Sequence, residues 1–236
     1  MTGYGKKGVV VFIVEGVSDK IALELPMSRL ICSDSIRFAV MHGDCLSRSG
    51  NGAEKAVSEQ IRTLMVKYNY KKSDFVQIVH IVDTDGSFIP DDRVFSREQS
   101  GIAYYSDRIE TGEYKETVAR HHRRRNSALV LAKKKSIMGI PYDIYFMSRN
   151  LEHVTQNEGG HVRSSNKVEF AERFADSFAD DPYGLMELLC DKSVAAKGDY
   201  DSSWNHIMSG TNSLKKCSNL NFFLDSYYNE IYSESE

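Results

Sequence analysis

The sequence has no apolar run long enough to cross a membrane or to act as a secretory signal. Its first apolar stretch, residues 9–14, contains six residues and ends at Glu15, whereas a membrane helix needs about 20. We therefore expect a protein without a membrane anchor.

The sequence also has few cysteines, and none of them form a CxxC pair. That absence excludes the common zinc-binding and redox motifs. Widely scattered cysteines are typical of free thiols in a reducing compartment, so the sequence predicts a cytoplasmic protein. The four residues are Cys32, Cys45, Cys190 and Cys217.

An excess of positive charge is missing as well. The chain has 30 Lys and Arg against 33 Asp and Glu, a formal net charge of -3, which excludes a generally polycationic nucleic-acid binder but leaves local basic patches open. A GxxxxGK[ST] motif is absent, so the sequence predicts no ATPase site of its own.

What is present indicates a folded α/β protein. The 236 residues, of which 41% are hydrophobic, suffice for one large domain or for one domain with an appended subdomain. Residues 52–70 have apolar side chains at helical spacing, and such helical patterns separate the apolar stretches. Alternation of strand and helix predicts a mostly parallel sheet flanked by helices. The predicted strands are Val9–Val14, Ile36–Met41, Phe75–Val82 and Tyr142–Met147.

The pattern changes near residue 150. Residues 166–181, 183–197 and 220–232 read as amphipathic helices, and no strand pattern recurs. We therefore predict an α/β domain over residues 1–150 and a helical C-terminal portion, residues 151–236, that packs on it. Trp204, the single tryptophan, is interpreted as a packing anchor of that portion.

Acidic residues follow two of the predicted strands. Glu15 ends the first, with Asp19 four residues later, and Asp83 and Asp85 follow the third. In an open parallel sheet the carboxyl ends of the strands are where ligands bind. The plainer alternative is a helix N-terminus, capped at Ser18, and an ordinary DTDG turn.

Converging carboxylates without histidine or cysteine favour a hard cation. Such a site suits Mg2+ or Mn2+ better than zinc. A pair of these ions commonly activates water and stabilises phosphate oxygens. The sequence therefore predicts a site for two divalent ions acting on phosphate.

The two acidic motifs together resemble a known family. IVEGVSDK at 13–20 followed by IVDTDG at 81–86 is similar to the Toprim domain, and the ExxxD spacing of Glu15 and Asp19 resembles the Toprim nucleases of the overcoming-lysogenisation-defect (OLD) class. The resemblance covers residues 9–153. It implies metal ligands at Glu15, Asp19, Asp83 and Asp85, with Glu15, Asp83 and Asp85 also catalytic.

A third segment extends the resemblance. YDIYFMSRNLEHV at 142–154 resembles the basic residue and glutamate that follow the last core strand in these nucleases. The resemblance implies that Glu152 supports the second ion and that Arg149 is catalytic, although the family usually has lysine there. An arginine stabilises phosphate charge but exchanges protons poorly. An exposed ion pair between Arg149 and Glu152 is the alternative.

The densest basic run is RHHRRRN at 120–126. Its arginines could contact a nucleic-acid backbone, or the run could be a solvated helix face. The two histidines, His121 and His122, are interpreted as surface residues. The predicted nucleic-acid contacts are Arg120, Arg123, Arg124 and Arg125.

The resemblance implies a metal-dependent nuclease that cuts DNA or RNA, in anti-phage defence (abortive infection), with a separate ABC-type ATPase as partner. A nuclease that matures ribosomal RNA and a freestanding nuclease stay open, as does a homodimer. The alternative from another class is a non-catalytic Toprim-fold module that binds nucleic acid or a partner protein.

Overall fold

The computed structural model describes residues 8–31, 36–41, 43–48, 51–156 and 166–226, and it has an α/β fold. The strands are β1 (Val9–Val14), β2 (Ile36–Val40), β3 (Phe75–Asp83), β4 (Val94–Ser96), β5 (Ile102–Tyr104), β6 (Ile109–Thr111), β7 (Ser136–Ile137) and β8 (Ile140–Met147). The helices are α1 (Val17–Leu30), α2 (Gly52–Tyr68), α3 (Tyr114–Ala132), α4 (Leu151–Thr155), α5 (Lys167–Ser177), α6 (Pro182–Cys190) and α7 (Tyr200–Ile207).

The main sheet has the order β2-β1-β3-β8-β7. Its first four strands are parallel, and β7 pairs antiparallel with β8. These four are the strands that the sequence predicts, with ends that differ by no more than two residues. The prediction of a mostly parallel sheet is therefore confirmed. Because the strands are parallel, the carboxyl ends of β2, β1, β3 and β8 meet along one edge.

Both faces of the sheet are buried, which explains the nearly continuous apolar strands. One face, with Ile78 and Val82 of β3, packs against α2 and α3. The other, with Val79 and Ile81, packs against α1, α5 and α6. Side chains alternate between the faces along each strand, so the parity of a residue decides which group of helices it meets at the sheet edge.

The segment that joins β3 to α3 in the sequence forms a second sheet, which the sequence analysis does not predict. Its three strands have the order β4-β6-β5 and only three residues each. Strands this short leave little periodicity to recognise. Ile89, Val94, Ile109 and Leu214 form a small core of their own beneath this sheet, which places it beside the loop that follows β3.

The C-terminal portion contributes to both cores. Trp204 is 4% exposed and packs edge to face on Phe146 of β8, with ring centroids 5.1 Å apart, which confirms its role as a packing anchor. Phe174 of α5 and Phe223 belong to the opposite core. The chain after residue 150 therefore packs on the sheet, as predicted, whereas the division into two domains stays a prediction.

The described part of residues 151–236 contains helices and no strand of the two sheets. The helix predicted over 183–197 ends at Cys190, and α7 lies where the sequence analysis predicts no helix. The third predicted helix is present at 221–226, and its remainder lies outside the described residues. Cys45, Cys190 and Cys217 are free thiols, and Cys32 lies outside the described residues. Within the ranges that the structure describes, no helix combines the length and apolarity needed to span a membrane.

Candidate functional site

Glu15 and Asp19 lie where β1 gives way to α1. The helix begins at Val17, two residues earlier than a cap at Ser18 would require, because the Asp19 carboxylate accepts a hydrogen bond of 2.8 Å from the Gly16 amide. A Cβ at Gly16 would stand 3.0 Å from that carboxylate oxygen. Glycine therefore permits the close turn that keeps both acids at the sheet edge.

Asp83 and Asp85 lie at the end of β3 but not in one extended stretch. Asp83 is the last residue of the strand, and Asp85 has a left-handed backbone with φ of 48°. Asp85 therefore does not continue the extended chain of β3. The turn sends Asp83 and Asp85 toward different neighbours.

A set of hydrogen bonds joins this turn to the end of β8. The Arg149 amide donates to the Thr84 hydroxyl at 2.8 Å, and the Asp85 amide donates to the Arg149 carbonyl at 2.9 Å. Arg149 itself has a left-handed backbone with φ of 57°. These hydrogen bonds join two turns with left-handed residues and bring the IVDTDG and SRNLE segments together.

Arg149 and Glu152 do not form the exposed ion pair that was the alternative interpretation. The Arg149 guanidinium lies over the ring of Tyr104 in β5, 4.5 Å from its centroid. Glu152 is 4% exposed, and one of its oxygens lies 3.4 Å from the Lys167 ammonium of α5. Tyr104 and Lys167 are therefore two neighbours of the acidic edge that the sequence analysis missed.

Arg124 lies among the acids at the carboxyl ends of β1, β2 and β3. Its side chain is fully buried, and it forms ion pairs with Glu15 and Asp85, each at 3.6 Å, and with Asp44. Its Nε also donates to the Ser87 hydroxyl at 3.2 Å, and its Nη2 donates to the Asp83 carbonyl at 2.5 Å. The guanidinium thereby binds side chains or backbone from the ends of three neighbouring strands.

The edge has a sixth acid, Asp44, which the sequence analysis missed. It follows β2, the neighbour of β1, so its position after an apolar strand was the signal that could have found it. Burial acts to raise the pKa of Asp44, but Arg124 and hydrogen bonds from Ser47 outweigh burial and lower it. Asp44 is therefore a charged partner of Arg124.

Three acids of the edge, Glu15, Asp19 and Asp83, have a raised pKa. Burial, together with Asp85, Asp44 and Asp19, raises the pKa of Glu15 to about 8 even though Arg124 acts to lower it. Burial and the nearby Glu152 raise the pKa of Asp19 to about 6, against the Gly16 hydrogen bond. Burial and the same group of acids raise the pKa of Asp83 well above its usual range. The edge therefore holds more negative charge than its own cations balance.

The acids do not by themselves form a ready coordination sphere. Over the ranges that the structure describes, no three Asp, Glu, His or Cys side chains are placed to hold a metal ion. The donor chemistry nevertheless suits Mg2+ or Mn2+, because it consists of carboxylate oxygens alone. One oxygen of Glu15 and one of Glu152 are buried without a hydrogen-bond partner, and a divalent cation would satisfy such oxygens. Binding an ion requires the carboxylates to draw closer together.

The basic run does not form one exposed face. Arg124 is buried among the acids, and Arg125 donates to the carbonyls of Phe88 and Met208 at 3.1 and 2.6 Å. Neither guanidinium is placed to contact a nucleic-acid backbone. Arg123 is exposed and Arg120 is half-buried, so these two keep the predicted role.

The two histidines of the run differ. His121 is 2% exposed, and burial lowers its pKa to about 4, so the surface interpretation is wrong for it. His122 is exposed and lies 2.9 Å from Asp91. The helical period of α3 separates neighbours onto different faces.

A separate cleft of about 550 Å3 lies near the opposite end of the sheet. Gln77, Asp143 and Asp201 are among its lining residues. Gln77 precedes Asp83 by six residues of β3, a distance of about 20 Å along an extended strand. The acids of this cleft are thus independent of the acidic edge.

Comparison with known proteins adds no relative. No protein-family model matches the chain, and no curated protein or solved structure matches it. The similarity to Toprim and OLD proteins therefore rests on the sequence motifs alone.

Proposed function

We propose that the protein is a metal-dependent phosphodiesterase of Toprim type that hydrolyses DNA or RNA. The observation that carries this proposal is the gathering of six carboxylates at one edge of a parallel sheet. They follow four neighbouring strands, and they are Glu15, Asp19, Asp44, Asp83, Asp85 and Glu152.

Buried carboxylates this close together destabilise the folded protein unless a cation offsets their repulsion and desolvation. Burial and mutual repulsion raise the pKa of Glu15 to about 8 and raise that of Asp83 well above its usual range. Both effects disfavour the ionised forms that a structural role would need. Perturbed carboxylates grouped in this way are typical of functional sites.

Mg2+ or Mn2+ bound at this edge would neutralise phosphate oxygens and lower the pKa of an attacking water. The carboxylates of Asp19, Asp83 and Glu152 would supply oxygen ligands to such an ion. Glu15 either shares in that coordination or holds a proton, for which a pKa near 8 suits it.

Arg149 is suited to a phosphate that lies against the edge. Its guanidinium is positioned by the Tyr104 ring, and its Nε is buried without a hydrogen-bond partner. No ion pair to Arg149 is formed by any carboxylate in the described ranges. A cation with donors to spare binds phosphate oxygens strongly.

The biological setting follows from the resemblance alone. OLD-like Toprim nucleases work with ABC-type ATPases in anti-phage defence, and we propose the same role here, in the cytoplasm and with the ATPase on a separate polypeptide. Purified ATPase encoded beside this chain should increase cleavage in the presence of ATP. Unchanged cleavage would favour a freestanding nuclease.

A non-catalytic binding module is the second candidate. The pairing of Arg124 with three acids favours it, because an internal cation already offsets part of the charge. The two candidates differ in their response to metals. Cleavage with Mg2+ or Mn2+ and binding without cleavage in Ca2+ support the enzyme, whereas binding without cleavage under every metal supports the module.

The decisive experiment compares wild type with Glu15→Gln and Asp83→Asn on mixed DNA and RNA substrates. Both substitutions keep side-chain volume and remove a charge, so we expect folded proteins without cleavage. Asp201→Asn is the matched control, since it makes the same change at an exposed acid outside the edge. Equal cleavage by all four proteins would show that the activity lies elsewhere.

A further inference from the structure

Arg124 is held in place by neutral groups as well as by charge. The Ser87 hydroxyl accepts from its Nε at 3.2 Å and the Asp83 carbonyl accepts from its Nη2 at 2.5 Å. Its side chain is also fully buried. A guanidinium fixed in this way cannot leave the edge without exposing the cluster, so its positive charge is a permanent part of the site.

The acids divide into two groups around this cation. Asp44 pairs with Arg124, and Glu15 and Asp85 each lie 3.6 Å from it. Arg124 reaches them from α3, whose residues Ala128 and Leu131 belong to the core on the Val82 face.

The other group lies toward the opposite face. Asp83 has the parity of Val79 and Ile81, which face α1 and α5. Asp19 belongs to α1, and Glu152 is paired with Lys167 of α5 at 3.4 Å. Among the described residues, Lys167 is the one whose ammonium forms an ion pair with a carboxylate of this group, and its side chain is half-exposed on a flexible stem.

The two groups therefore differ in how their charge is balanced. The group of Glu15, Asp44 and Asp85 contains the buried Arg124, whose positive charge repels a metal ion at close range. The second holds a lysine that can move into solvent, and one buried oxygen of Glu152 has no hydrogen-bond partner. A metal ion is therefore repelled less strongly beside Asp19, Asp83 and Glu152 than beside Arg124.

We propose that Arg124 takes the place of one of two divalent ions, so that the protein binds a single Mg2+ or Mn2+ on the side of Asp19, Asp83 and Glu152. This inference rests on the proposed function and replaces the expectation of two ions. In it, Arg124 is a positioning residue that fixes Glu15 and Asp85 and supplies the charge of the second ion.

The first test is the number of Mn2+ ions bound, measured by calorimetry and by the loss of the free-ion signal in electron paramagnetic resonance. We expect one ion for wild type and for Arg124→Lys, which keeps the charge. Arg124→Gln should bind a second ion, because the Glu15 and Asp85 side is then unbalanced.

A pair of matched substitutions keeps the test decisive if Arg124→Gln fails to fold. Asp83→Asn should weaken Mn2+ binding at least 100-fold, whereas Asp85→Asn should weaken it no more than about threefold, a difference of roughly 2 kcal/mol by the affinity relation. Circular dichroism and thermal unfolding establish that each variant is folded before titration.

The outcomes separate this inference from the proposed function. Two ions bound by wild type, or equal weakening by Asp83→Asn and Asp85→Asn, would overturn the role of Arg124 and leave a metal-dependent nuclease standing. No ion bound by wild type would overturn both.

Discussion

The guanidinium of Arg124 lies 3.6 Å from the carboxylate of Glu15, deep at the edge of the sheet and without exposure to solvent. One residue comes from the end of the first strand and the other from the middle of a helix more than a hundred positions later. Their contact converts a residue of an apparent basic patch into the counter-ion of an acidic site.

Arg124→Met should destabilise the metal-free protein by about 3–5 kcal/mol, because it leaves buried carboxylates without their partner. Urea unfolding measures the loss. Adding Asp44→Asn should recover part of it, since the Asp44 carboxylate is the partner left charged. Arg93→Met, at an exposed arginine, is the control. Equal stability of Arg124→Met and wild type would contradict the central role of the guanidinium.

Glu15 should make the stability of the metal-free protein fall as pH rises. Its pKa is raised from 4.5 to about 8 in the folded state. Between these values the folded state binds more protons than the unfolded state, so the free energy of unfolding decreases with pH. One pKa unit corresponds to about 1.4 kcal/mol.

The matching variant is Glu15→Gln, which cannot ionise. Its free energy of unfolding should vary less between pH 5 and 8, about the range set by the two pKa values, and should exceed that of wild type at the upper end. Saturating Mg2+ should restore the stability of wild type there. A slope unchanged by Glu15→Gln would assign the titration to another group.

Tyr104 should act on cleavage through Arg149. Tyr104→Ala removes the ring beneath the guanidinium, a contact worth about 0.5–2 kcal/mol, so we expect kcat/KM to fall by roughly 2- to 30-fold. Tyr104→Phe keeps the ring and should retain most activity. If both variants lose activity equally, the hydroxyl of Tyr104 is what matters.

Within the basic run, nucleic-acid binding should respond to charge reversal at the exposed Arg123 and not at Arg125. Arg123→Glu should weaken nucleic-acid binding and reduce the salt slope by about one phosphate contact, because Arg123 is exposed. Arg125→Glu should instead lower the melting temperature, since it breaks the hydrogen bonds to Phe88 and Met208. If Arg123→Glu leaves nucleic-acid binding unchanged, the exposed face of the run is solvated and does not contact nucleic acid.

Trp204→Ala should destabilise the whole protein by about 3–5 kcal/mol. The indole is buried against Phe146, a residue of the central sheet, so its loss opens a cavity between the C-terminal portion and the strands. Trp204→Phe should cost less. Two separate unfolding transitions in wild type would show that the C-terminal portion unfolds independently.

The sequence by itself determined the main sheet and most of its acidic edge. The six consecutive apolar residues at 9–14 indicate a strand that is buried on both faces of a sheet. Strands that alternate with helices along the chain then pair in parallel. Once the strands are parallel, an acid such as Glu15 or Asp83 that follows one of them is placed at the same edge. The local order of residues carries this information.

Only the tertiary structure decided the partners of these acids. Nothing in RHHRRRN distinguishes Arg124 from Arg123, because the direction of a side chain on a helix depends on which face packs against the sheet. Asp44 and Lys167 likewise lie near the edge because of how β2 and α5 pack. Their contacts with Arg124 and Glu152 join segments distant in sequence, and packing of the whole chain fixes such contacts.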